Sequence, residues 1–349
     1  MPPCRQAATN LRDMEIKNLK IAVIGGGITG LYLSWKLGKQ GHNVSVFERK
    51  SEDKAGDKVC SALVSERIRD FIPLGEACVK NKINSCYINF PKKKIRLVFK
   101  PSHLALDREM LIRRLIELNR LVGTQIFFNH ELKELPKDFD YIIGCDGAGS
   151  MVRNSLNLSK PEISLGIRAF ADKTDDSNFV FTYPTKSGFC WKIPKSDCLE
   201  YGAMGNMKYA KKDFDDFLKK ENINNLENLS SAVIPQPKFS FFNAGLVLPD
   251  EKNITLCGDA CGLTKPWSGG GIIWGLTQAD ILIKTFPDFK KYRKETIKRF
   301  QSTILKGQIS KKLIYFAGNY FPFLIPSKIT YDNDFPSILE SLKSLLKQG

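Results

Sequence analysis

Gly25, Gly27 and Gly30, in the string GGGITG, are spaced to hold a diphosphate. The pattern carries weight only between a strand and a helix. Here Leu19 to Gly25 (LKIAVIG) reads as a buried parallel strand, and Ile28 to Lys39 has helical periodicity. In that setting Gly25 permits a tight turn, Gly27 lets the backbone approach the phosphates, and Gly30 lets helix and strand pack closely. Ile28 and Thr29 sit in the helix N-terminus, whose free N–H groups and dipole favour an anion. Glu48 ends the next strand, NVSVFE, where a carboxylate would accept from ribose hydroxyls, and Arg49 follows it. This unit alone leaves FAD and NAD open.

Two more acid–glycine pairs lie downstream, Asp146 with Gly147 in YIIGCDGAGSMVR and Gly258 with Asp259 in ITLCGDACG. PWSGGGIIWG comes next, where Gly269, Gly270 and Gly271 open a helix that begins with Ile272. The three histidines, His42, His103 and His130, have no ligand-like spacing, so neither a metal site nor a histidine triad is expected. Nine cysteines without a CxxC pair suit a reducing compartment. A formal charge of +16 invites a nucleic-acid reading, but the lysines are scattered and no nucleic-acid module is recognisable. Attraction to an anionic lipid surface or a phosphate-bearing substrate is the better use.

The downstream pairs resemble two motifs of the flavoprotein hydroxylase superfamily. YIIGCDGAGSMVR is similar to its Asp-Gly motif, with Arg153 as the trailing arginine. ITLCGDACG is similar to its Gly-Asp motif, whose aspartate, here Asp259, hydrogen-bonds the ribityl chain of FAD. Arg108 in LDRE resembles the arginine that reaches the FAD. Together the three segments imply a tightly held FAD, with the helix starting at Gly271 stabilising the anionic reduced flavin. No second GxGxxG and no CxxxxC dithiol occur, which argues against the disulfide reductases.

One branch fits best. GFCWKIPKSD resembles the aromatic–x–Trp–x–Phe–Pro–Lys string that lines the prenyl cavity of the geranylgeranyl reductases. Ile193 replaces the usual phenylalanine and Phe189 a frequent tyrosine. KVCSALVSERI resembles the same family's loop with a cysteine beside the flavin, matching Cys60, although Ser61 and Ala62 replace its glycines. The resemblance spans roughly residues 19 to 285. It implies reduction of isolated C=C bonds in geranylgeranyl chains of membrane-lipid precursors. Phe189 and Trp191 would form the wall, Cys60 would lie near the flavin, and Gly270 and Gly271 would start the charge-stabilising helix. Implied partners are a geranylgeranylated lipid or prenyl phosphate and an electron donor, NAD(P)H or ferredoxin-like. Lys192 or Lys195 would hold a lipid phosphate. The alternatives are an aromatic-type monooxygenase using O2 and NADPH, and a non-catalytic flavin- or lipid-binding protein.

The elements that must position these residues follow from the same pattern. The resemblance implies an α/β architecture: a Rossmann-like FAD-binding domain of the para-hydroxybenzoate-hydroxylase type, an inserted antiparallel β-sheet substrate domain, and a helical C-terminus. We expect a disordered leader over 1–18 and a discontinuous FAD-binding domain at 19–83, 101–161 and 245–285. The substrate domain takes 84–100 and 162–244, and a basic helical region takes 286–349. A helix is expected from about Ser65 to Phe71, and an amphipathic one from Arg108 to Leu121 capped by Asp107. Strands are expected at Ser85–Phe90, Ile95–Phe99, Gly166–Phe170, Phe179–Tyr183, Phe189–Ile193 and Leu199–Met204. No secretory signal and no apolar run of membrane-spanning length is visible, so a cytoplasmic chain with peripheral contact at an anionic membrane is expected. LIYFAGNYFPFLIP, from Leu313 to Pro326, is the apolar stretch that would cap a cavity or enter a membrane interface.

Overall fold

Runs of buried, β-branched residues build a five-stranded parallel sheet. In the computed structural model, which describes residues 18–332 and 334–336, its order is β13-β7-β1-β2-β6. These strands are β1 (Lys20–Ile24), β2 (Asn43–Phe47), β6 (Gln125–Phe127), β7 (Tyr141–Gly144) and β13 (Ile254–Leu256). Strand β1 is central and exposes only Lys20, as a parallel strand covered on both faces should. The expected leader lies outside the described residues, apart from its final position.

Three helices cover the sheet: α1 (Ile28–Lys39), α3 (Arg108–Leu121) and α6 (Ile272–Thr285). The Asp107 side chain accepts from Met110 N at 3.0 Å and caps α3, as its position before the amphipathic run predicts. Fully buried Asn119 ties α3 to α1. Its amide donates to Leu31 O at 2.7 Å and its carbonyl accepts from Ser34 Oγ at 2.7 Å. The helix expected from Ser65 is shorter, because Leu63–Ser65 pairs with β5 as strand β3 and only Ile68–Phe71 turns into helix α2.

The second sheet runs β12-β8-β11-β10-β9-β4-β5-β14, with β3 also on β5. It contains β4 (Val79–Phe90), β5 (Lys93–Leu106), β8 (Glu162–Ala171), β9 (Phe179–Pro184), β10 (Phe189–Lys195), β11 (Cys198–Gly205), β12 (Glu227–Gln236) and β14 (Lys328–Tyr331). Most pairs are antiparallel, but β4·β9 and β5·β14 are parallel, so the sheet is mixed. Short α4 (Met151–Ser155) follows β7, and α5 (Ala210–Lys220) buries Phe214 and Phe217 against the sheet's far face.

After α6 the chain forms one long helix, α7 (Phe289–Tyr320), capped by the Asp288 carboxylate on Lys291 N at 2.9 Å. It then returns as β14 alongside β5. A buried ion-pair cluster fastens this return. Asp334 accepts from Lys265 Nζ at 2.7 Å and from Arg67 Nη1 at 3.2 Å, and Arg67 grips Asp332 through both terminal nitrogens. Burial alone would raise the Asp334 pKa, but the Lys265 ammonium outweighs it and holds the carboxyl below its ordinary value. Its contribution is therefore present above the unfolded carboxylate pKa of about 3.9 and is lost as pH falls through the lower folded value. Asp334→Asn should cost about 3–5 kcal/mol at neutral pH, since it strands a buried ammonium. It should also flatten the acid limb of stability below about pH 4 in denaturant titrations. An unchanged acid limb would contradict this role.

Candidate cofactor and substrate site

A cleft opens at the C-terminal ends of β1, β7 and β13, where open α/β sheets receive their ligands. Its far wall is the inner face of the second sheet. Gly27, Ile28, Thr29, Cys60, Arg108, Gly147, Trp191, Asp259, Gly270, Gly271 and Ile272 all line it. Gly25, Gly30, Glu48, Arg49, Asp146, Phe189 and Gly258 are not among the lining residues.

The glycine loop is built as its spacing requires. Gly25 has φ +105°, and a Cβ there would fall 2.6 Å from the Cys145 carbonyl oxygen. A Cβ on Gly30 would meet Gly25 O at 2.0 Å, so the helix can approach the strand only without a side chain. Gly30→Ala should destabilise the fold by about 1–3 kcal/mol in thermal or urea unfolding; a variant as stable as the wild type would contradict the packing role. Gly27 differs, because a Cβ there meets nothing within 4 Å and would project into open space.

Glu48 is pre-oriented by backbone. Oε2 accepts from Gly26 N at 2.7 Å and Oε1 from Lys50 N at 2.9 Å, leaving each oxygen a lone pair. Asp146 Oδ2 accepts from Met151 N at 2.6 Å and Val152 N at 3.2 Å, while Oδ1 is buried without a partner. Burial pushes this carboxyl's pKa up. Buried Arg153 donates to Ala260 O at 2.8 Å and Ala148 O at 2.6 Å, bolting the Asp-Gly turn to the Gly-Asp turn. Gly258 N donates to Gln278 Oε1 at 2.7 Å, fixing that second turn on α6. Exposed Arg49 faces Glu131 at 3.8 Å, away from these contacts.

Asp259 receives Lys58 Nζ at 2.7 Å, a pairing across 201 residues that no local pattern announces. A Cβ on Gly271 would lie 2.8 Å from Asp259 Oδ1, so the glycine keeps room for that carboxylate. Neither α1 nor α6 carries an acidic residue in its first turn or a side-chain cap, and both begin at the cleft. Two helix N-termini therefore converge there, with Arg108 and Arg168 adding positive charge. Arg108 Nε and Arg168 Nε are buried without partners.

These features fit FAD. The open space before Gly27 suits a diphosphate, and the anchored Glu48 a ribose. Residues 23–52 match the family model of the NAD(P)-binding Rossmann-like domain. Kynurenine 3-monooxygenase of Flavobacterium johnsoniae is 24% identical, with 81% of this chain and 76% of that protein covered. Among solved structures, a geranylgeranyl bacteriochlorophyll reductase-like protein from Thermoplasma acidophilum superposes with a TM-score of 0.77 at 16% identity, covering 95% and 96% of the two chains. PqsL of Pseudomonas aeruginosa, a probable FAD-dependent monooxygenase, superposes with a TM-score of 0.66 at 14% identity, covering 87% and 97%. The fold is that of the FAD-binding flavoproteins.

On the far wall the expected strand face divides. Trp191 reaches the cleft, Phe189 packs beside it with ring centroids 5.8 Å apart, and Ile193 enters the core with Ile83 and Val180. The Trp191 ring lies over Gly202, where a Cβ would be 2.1 Å from its Cζ2. Its Nε1–H donates to Glu200 Oε1 at 2.9 Å, and Lys195 Nζ neutralises fully buried Glu200 at Oε2, also 2.9 Å. This corrects the expectation for the lysines. Lys195 is committed to Glu200 and Lys192 pairs with Asp175 at 3.5 Å, so neither is a free phosphate hook. Of the cations that line the cleft, Lys58 is paired with Asp259 and Lys265 with Asp334, while Arg108 was expected from the sequence and Arg168 was not. Arg168 Nη1 donates to Cys60 O at 2.6 Å and so holds the Cys60 loop, while Ala62 N donates to Cys60 Sγ at 3.4 Å.

Proposed function

We propose that this chain is an FAD-dependent oxidoreductase that saturates isolated C=C bonds in an isoprenoid chain. The observation that carries this reading is the apolar wall opposite the glycine loop: Trp191 with Met204, Ala232 and Ile234 on the same face of the sheet. The near full-length likeness to the reductase-like Thermoplasma protein supports it. FAD, once reduced by a donor of the NAD(P)H or ferredoxin class, supplies hydride to one alkene carbon.

The chain's own residues do the rest. The loop at Gly25–Gly30 and Glu48 bind the dinucleotide, and the paired Lys58 and Asp259 meet its middle. The N-terminus of α6 favours negative charge at Gly271. Trp191, fixed by Glu200 and Gly202, excludes water and offers a π face to positive charge developing on the alkene. The second alkene carbon takes a proton, and we assign its delivery to the Cys60 thiol on the cleft wall.

A second reading is insertion of oxygen from O2 into an aromatic substrate. The curated relatives named kynurenine 3-monooxygenase favour it, and more of the similar structures are monooxygenases or halogenases than reductases. Arg108 and Arg168 on the cleft wall would suit an anionic aromatic substrate. Product mass separates the two. Dithionite-reduced protein given geranylgeranyl phosphate without O2 should add two hydrogens per double bond reduced. Untouched geranylgeranyl phosphate, together with oxygenation of an anionic aromatic by NADPH and O2, would overturn the reductase reading.

A further inference from the structure

The long helix α7 carries an apolar stripe on its outward side. Ile309, Leu313, Phe316 and Tyr320 recur at helical spacing and are all exposed, whereas Phe300, Ile304, Gly307 and Gly318 face inward. The stripe continues past the helix into Phe323 and Leu324, which are 77% and 66% exposed. Beside α7, Gln301 and Gln308 hold the 237–243 loop through Ser240 O and Pro237 O, and that loop exposes Phe239, Phe241 and, at 89%, Phe242. Contiguous exposed apolar surface of this kind marks an interaction site.

Charge identifies the occupant. Residues 296–331, which contain the stripe, include no Asp or Glu, yet they carry the exposed Lys298, Arg299, Lys306, Lys312 and Lys328. The hairpin β4–β5 abuts the same end of α7, since Phe90 packs on Tyr315 and Gly318 and Lys93 Nζ donates to Ile325 O. Its turn, Pro91–Lys92, leads into Lys93 and Lys94 at the start of β5, and residues 77–106 are likewise free of acids. An aromatic and leucine surface inside a collar of lysines matches the interface of an anionic bilayer, where apolar side chains enter the headgroup boundary and ammonium groups meet lipid phosphates. No helix among the described residues is long and apolar enough to cross a membrane, so the contact is one that lies on the surface.

We propose that the outer stripe of α7, the Phe323–Leu324 tip and the turn bearing Lys92 form a docking surface for an anionic lipid bilayer. Its position is informative. Lys311 Nζ donates to Pro266 O, Gly307 packs on Trp267, and Tyr315 Oη donates to Gly188 O. The same helix therefore backs both the Pro266–Gly271 turn and the strand bearing Trp191. A docked molecule would present the flank of its cleft to the membrane.

The test is co-sedimentation of the flavin-loaded full chain with vesicles of phosphatidylcholine alone or with about 30% phosphatidylserine. We expect binding to the anionic vesicles at least about tenfold tighter than to neutral ones, weakened by added salt. The double variant Phe323→Ser and Leu324→Ser should lose at least about tenfold in binding with flavin content and melting temperature unchanged, because both side chains are exposed. Lys92→Glu and Lys312→Glu should each weaken binding about fivefold or more on anionic vesicles alone. Equal binding to both vesicle types, or none, overturns the proposal. So does a concentration-dependent dimer abolished by the Phe323/Leu324 change, which would make a second copy the occupant. The assignment of the cleft does not depend on this result.

Discussion

Replacing Trp191 by alanine should leave the flavin in place and lower turnover by about 10²-fold or more. The indole is the one side chain of the β10 face that reaches the cleft, and it is held from two sides, by the missing side chain at Gly202 and by the hydrogen bond to Glu200. Removing it opens the apolar wall to water where the substrate must lie dry and correctly placed. None of the residues assigned to the diphosphate or ribose touches it, so flavin content should match the wild type. Glu200→Gln offers a graded control. It keeps an acceptor for the indole N–H but strands the Lys195 ammonium, so folding stability should fall more than the rate does. Steady-state rates and bound flavin per chain decide the matter. Normal turnover in Trp191→Ala would remove it from the substrate wall.

Gly27→Val should give folded protein without flavin. The contrast with Gly30 makes this prediction sharp. At Gly30 a side chain strikes the Gly25 carbonyl, so the damage is to the fold, whereas at Gly27 a Cβ has no neighbour within 4 Å and projects toward the cleft. A branched side chain there blocks close approach of a diphosphate to the backbone at the start of α1. The expected result is a circular dichroism spectrum and oligomeric state like the wild type, with cofactor occupancy reduced at least about tenfold. Retained flavin would mean that the phosphates lie elsewhere.

Much of this was legible in the sequence, for identifiable reasons. The glycine spacing, the Asp107 cap and the bounds of α3 depend on neighbours within a few positions, and local patterning reads such features well. Strands β8 to β11 were legible as aromatic and β-branched runs. Strand β12 was not, because its first half (ENLS) is polar and exposed, and β14 is four residues that pair only because α7 returns the chain to β5. The site's electrostatics were the least readable part. Lys58 finds Asp259 across 201 residues, Lys265 finds Asp334 across 69, and Arg168 reaches the Cys60 carbonyl across 108. Such pairs are products of topology, not of spacing. Lys195 illustrates the converse, a residue read as a phosphate ligand from its neighbours but consumed by a buried glutamate five residues on. The stripe on α7 misleads in another way, since its period is that of a buried helix face although it points outward.

The claim on which the rest depends is that the cleft between the two sheets holds FAD. Denaturing the purified chain and separating the released small molecules by chromatography tests it directly. One FAD per chain, restored on refolding with FAD and absent from Gly27→Val, is the expected outcome. Release of NAD or FMN instead, or a colourless folded chain that FAD cannot reconstitute, would contradict it.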